Sequence, residues 1–121
     1  MKISVVKESK IEIAIVKSEE ILIGDVQSAL DFFATVEYET GCSRMIVDKS
    51  SICEEFFDLS TKIAGEVLQK FINYRKRIAI IGDFSTYTSR SLKDFIYECN
   101  KGKDIFFVPS EQEAIKKLSI D

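Results

Sequence analysis

The chain contains no histidine and no tryptophan, a single proline, five glycines and three cysteines. The missing histidine removes every Ser–His or Cys–His nucleophile pair and the commonest metal ligand, so His-based hydrolase chemistry is excluded. Cys42, Cys53 and Cys99 are odd in number and form no Cys-x-x-Cys pair, which speaks against a zinc ribbon or a thioredoxin-type motif. A reducing, cytoplasmic setting is the simplest expectation. With so little proline and glycine, no long linker or disordered tail is expected. No apolar run is long enough to span a bilayer, and no signal-peptide pattern opens the chain. The formal net charge of −3 carries no basic excess, so nucleic acid is not an expected partner.

What is present suits one α/β domain over residues 1–121. Ile3–Val6 and Ile11–Val16 are rich in Ile and Val and flank the polar Glu8-Ser9-Lys10, which predicts a hairpin with Ile11, Ile13 and Ile15 on one face. Ile21-Leu22-Ile23 reads as a brief strand or a packed loop. Asp25 offers an N-cap to a helix through Ala29, Leu30 and Phe33, and Gly41 is placed to end it in a left-handed cap. Met45-Ile46-Val47 is a short strand covered on both faces. Asp48–Leu59 is the least regular segment.

A second helix is expected from about Ser60 to Tyr74, with Ile63, Ala64, Val67, Leu68 and Phe71 at helical spacing. Ile78–Ile81 and Ile105–Val108 read as buried strands. The helix between them, starting at Ser91 and closing at Gly102, makes a strand–helix–strand crossover and therefore a partly parallel sheet. Ser110-Glu111-Gln112-Glu113 is a capping box that opens a last helix. The resulting order is β-β-α-β-α-β-α-β-α.

Four strings, Gln27–Asp31, Phe56–Leu59, Ala64–Phe71 and Ser91–Glu98, resemble the bacterial and archaeal family called domain of unknown function 4180. That resemblance implies no established activity. The element order also resembles the STAS domain of anti-anti-sigma factors and sulfate-transporter tails. The implied fold is STAS-like: a mixed five-stranded sheet, hairpin plus parallel strands, with about four helices. In that family a serine at a helix start is phosphorylated to switch partner binding. By this resemblance Asp58 matches the acidic residue and Ser60 the phosphoacceptor. Leu59 and Thr61 depart from the family's small polar residue and glycine.

The candidate site gathers at the carboxyl ends of the strands, where open parallel sheets bind ligands. Asp58 and Ser60 are a candidate switch; the plainer reading makes Ser60 an N-cap and Asp58 a turn residue. Asp48 and Asp83 follow parallel strands and could hold Mg²⁺ if adjacent, or each could cap its own loop, Asp83 with Ser85 in an Asx-turn. No third carboxylate stands at a suitable spacing, so no metal or other cofactor is assigned. Phe56, Phe57, Phe84 and Tyr87 could line a pocket or plug the end of the core. The basic run Tyr74-Arg75-Lys76-Arg77 is expected to stay solvated beside a helix end. Glu111, Glu113, Lys116 and Lys117 form a charged helix face. Cys99 is expected in the core and Cys42 as the more exposed thiol.

These readings favour a non-catalytic regulatory or protein-interaction domain acting through Asp58–Ala64 and Asp83–Ser91. The alternative is a ligand sensor or Mg-dependent enzyme built on Asp48, Asp83, Ser50 and Ser85. A further alternative is a homo-oligomer, such as a homodimer, paired through the hairpin edge.

Overall fold

The computed structural model describes residues 1–120. The expected order of elements is observed: β1 (Lys2–Glu8), β2 (Ile11–Lys17), α1 (Val26–Thr40), β3 (Arg44–Asp48), α2 (Ile63–Asn73), β4 (Arg77–Ile81), α3 (Arg90–Lys101), β5 (Ile105–Val108) and α4 (Glu111–Leu118). The strands form one sheet in sequential order β1-β2-β3-β4-β5. β1 is antiparallel to β2, and every later pair is parallel. Among the described residues no helix is long and apolar enough to cross a membrane.

Sequential strand order decides the layering. Each crossover from β2 to β5 steps in the same direction, and right-handed crossovers then put α1, α2 and α3 on one face of the sheet. The main core lies there, with Phe32, Phe33, Val36, Val67, Phe71 and Leu92 packed on Ala14, Val16, Met45, Val47, Ile78 and Ile80. Among the described residues only α4, which follows the last strand, covers the opposite face. Ala114 and Leu118 meet Ile46, Ala79, Phe106 and Val108 there, together with Ile13 and Ile15. Hence β2 through β5 are apolar on both faces, as Met45–Val47 suggested.

Local signals explain most boundaries. Ser9 and Lys10 both have positive φ (52° and 69°), the geometry of a tight two-residue hairpin turn. Asp25 accepts the Ser28 N–H while the Ser28 hydroxyl closes a reciprocal box, and Gly41 ends α1 at φ 75°. The Ser110 hydroxyl accepts the Glu113 N–H and opens α4. Ile23 makes a single parallel bridge to Ile52 rather than a further strand.

Four expectations are corrected. α3 is capped by Ser89, not Ser91; the Ser89 hydroxyl accepts the Leu92 N–H at 3.2 Å. Cys42 is not the exposed thiol. It is 3% exposed, because the left-handed Gly41 turns the chain back into the sheet and points the next side chain into the core. Lys76 is not solvated. Arg75, at φ 58°, reverses the chain; the Lys76 N–H reaches the Phe71 carbonyl, and its ammonium is buried over the Phe33 ring and paired with Glu37 of α1. α2, finally, does not start at Ser60 but at Ile63.

The amino end of the sheet is thus rich in bound cations. Arg44 Nη1 donates to the carbonyls of Leu118 (2.6 Å) and Ile120 (2.9 Å), and Arg77 Nη1 donates to Ile120 (3.1 Å). These bonds occupy carbonyls that the end of α4 leaves without helical partners. Arg77 also faces Asp104 at 3.4 Å.

Candidate functional site

At the carboxyl end the same short device recurs three times. Asp48-Lys49-Ser50, Asp58-Leu59-Ser60 and Asp83-Phe84-Ser85 are Asp-x-Ser triplets. In each, the carboxylate accepts the backbone N–H two residues on: Ser50 at 2.8 Å, Ser60 at 3.0 Å and Ser85 at 3.0 Å. All three are Asx-turns, the geometry expected from the sequence for Asp83 alone. Two are reinforced, since the Ser60 hydroxyl donates to Asp58 at 2.7 Å and the Ser85 hydroxyl donates to Asp83 at 2.5 Å. Those hydroxyl bonds, and next the backbone N–H bonds, hold the Asp58 and Asp83 carboxyls below the usual aspartate range.

Adjacency holds for Asp48 and Asp83. Asp48 lies opposite Ile81 in the β3–β4 ladder, two residues before Asp83. Both carboxylates line one depression of about 470 Å³ together with Gly82, Phe84, Phe107 and Pro109. Among the described residues, no three Cys, Asp or Glu side chains come together as a metal site.

Asp58 and Ser60 do not line that depression. They sit where two 3₁₀ turns meet, Glu54–Phe57 and Leu59–Thr61, and this is where the expected start of α2 fails. Ser60 is inside the second turn, which Asp58 caps. The Thr61 hydroxyl pins that turn by donating to the carbonyls of Glu55 and Asp58, both at 2.8 Å. Lys62 then takes a left-handed conformation (φ 67°), and α2 begins only at Ile63. Ser60 is thus not the N-cap of α2 expected from the sequence, whereas Asp58 is a turn residue as expected, capping the tighter turn. Ser60 therefore does not present the free N–H groups of a long helix.

The aromatics join these pieces. Phe56 and Phe57 are buried and plug the end of the core; Phe84 and Tyr87 are half-buried above them. Phe57 stacks on Tyr87, with ring centres 5.3 Å apart and planes 20° from parallel, and lies 6.0 Å from Phe84. The segment carrying Asp58 is in this way packed against the loop carrying Asp83.

Sequence reasoning passed over three contributors. Lys49 lies over the Tyr87 ring at 4.7 Å from its centre, and the Tyr87 hydroxyl donates to Glu54 at 3.0 Å. The Tyr87 side chain, aided by the Glu54 and Asp83 charges, raises the Lys49 pKa against its partial burial. Burial in turn raises that of Tyr87. Gly82 permits this approach: a Cβ there would stand 2.8 Å from Lys49 Cβ and 3.3 Å from Phe84 Cζ. The threefold Asp-x-Ser pattern was the available signal for Lys49, since it marks the first triplet as equivalent to the other two.

Comparison with known proteins agrees with the family resemblance. Residues 8–118 match the model of the family described as Domain of unknown function (DUF4180). The chain belongs to that family. No curated protein and no solved structure matches it.

Proposed function

We propose that the protein is a non-catalytic regulatory or protein-interaction domain of the cytoplasm, binding a protein partner through its carboxyl rim. The observation that carries this reading is the coupling of Asp58–Ser60 to the Asp83–Tyr87 loop through the Phe57–Tyr87 stack. A phosphate on Ser60 would replace a 2.7 Å hydroxyl–carboxylate bond with a dianion facing an anion. The turn would open, and the packed aromatics would carry the change toward the second loop. The resemblance of the element order to STAS domains supports the same switch.

Two measurements on protein from its native cells test this. Mass spectrometry is expected to find phosphate on Ser60. A partner captured by the wild-type chain is expected to be released by Ser60→Glu and by Tyr87→Ala. Unmodified Ser60 throughout, with binding indifferent to both variants, overturns the proposal.

The second reading, a ligand sensor or Mg-dependent enzyme, draws on the depression shared by Asp48 and Asp83. A ligand that binds the folded state raises the melting temperature. Under this reading Mg²⁺ or a nucleotide produces such a shift, and Asp48→Ala and Asp83→Ala abolish it. No shift with either removes it.

A further inference from the structure

The two borders of the sheet are treated differently. At β5 the Asn100 side chain acts as a substitute strand. Its amide donates to the Phe107 carbonyl at 3.1 Å, and its oxygen accepts the Phe107 N–H at 2.8 Å. At the other border β1 runs for seven residues as an edge strand, with Val5 44% exposed. The two-residue turn makes Glu8 and Ile11 a hydrogen-bonded pair, and the alternation of an antiparallel ladder then assigns Lys2, Ser4, Val6 and Glu8 to β2. The backbone N–H and C=O groups of Ile3, Val5 and Lys7 consequently point outward.

We propose that this edge pairs with β1 of a second copy, antiparallel and related by a two-fold axis at Val5. Three observations select the occupant and the register. The outward groups fall on odd-numbered residues, so a two-fold at Val5 pairs Val5 with itself and Ile3 with Lys7 as complete hydrogen-bonded pairs. The same register sets Lys2 opposite Glu8 twice, so the ends of the strand are charge-complementary to their own copy. The exposed Val5 side chains meet at the centre. The product is a continuous ten-stranded sheet with the helical layers of both copies on the same side. Because the two β1 strands run oppositely, the two carboxyl rims face opposite ends of the assembly. The inference does not depend on the function proposed above.

Sedimentation velocity on the full chain from about 10 μM to about 1 mM is expected to show a reversible monomer–dimer equilibrium. Val5→Pro removes an outward N–H without touching the β1–β2 ladder, and is expected to weaken association by about tenfold or more. Lys2→Glu or Glu8→Lys alone creates like-charge pairs and weakens it about fivefold, while the Lys2→Glu/Glu8→Lys exchange restores it. The exchange keeps the test decisive should Val5→Pro disturb folding. A chain that is monomeric throughout, or a dimer indifferent to the proline and to the charge exchange, overturns the proposal.

Discussion

The two ends of the sheet use charge for opposite purposes. At the amino end, cations reach across the fold. Lys76 ties β4's approach to Glu37 on α1, while Arg44 and Arg77 hold the last carbonyls of α4. At the carboxyl end, the three aspartates bond backbone and hydroxyl groups only two residues away, and they are exposed. The first end joins elements; the second shapes loops. Long-range bonds contribute to the stability of the whole, whereas local ones leave their residues available for a partner without threatening the fold.

Substitutions can break this contrast, and the largest effect is expected at the amino end. Glu37→Ala strands a buried ammonium and should cost about 2–3 kcal/mol, measured by denaturant unfolding. Lys76→Met, which removes the charge and keeps the volume, should cost less than about 1 kcal/mol, separating the need for a pair from a need for the charge itself. Gly82→Ala comes next, at about 2 kcal/mol, because the new methyl strikes Lys49 Cβ rather than a flexible tip. That loss would show one point at which the carboxyl end is structurally exacting. Arg44→Ala should cost about 1.5 kcal/mol through its two carbonyl bonds, with faster amide exchange confined to α4.

The smallest effect sharpens the comparison through pH. Asp58 and Asp83 have lowered folded-state pKa values, so their contribution is complete above the unfolded aspartate value and fades as pH falls through the lower folded one. Asp58→Asn/Asp83→Asn should therefore melt slightly below the wild type at neutral pH. The gap should close on acidification below about pH 4. A gap that widens toward acid would contradict the assigned direction.

Much of the fold was legible because it is written in short-range terms. Ile and Val runs, Asp25, Gly41 and Ser110 act within a few residues of themselves, and they mark strands and helix ends correctly. Strand order was not legible, since nothing in Ile13–Val16 names its neighbour β3. Two of the misread residues share one cause. Cys42 and Lys76 each follow a left-handed residue, and the direction a chain takes after such a turn depends on packing far along the sequence. Ser60 and Ser91 failed on competition: Asp58 caps a 3₁₀ turn before the helix, and Ser89 stands two residues ahead of Ser91. The Asx-turn at Asp83 was readable from its spacing, but Lys49 and Gly82 acquire meaning only when β3 and β4 lie side by side.

Asn100 has a consequence for what the molecule avoids becoming. A flat sheet with both margins bare can recruit neighbours without end and grow into fibres. By occupying the outward backbone groups of Phe107, the Asn100 amide obstructs pairing at that margin, so growth is expected to stop after one addition at the other. Asn100→Ala would remove that terminator, and slow fibril formation on storage, followed by dye binding, is the behaviour to watch for.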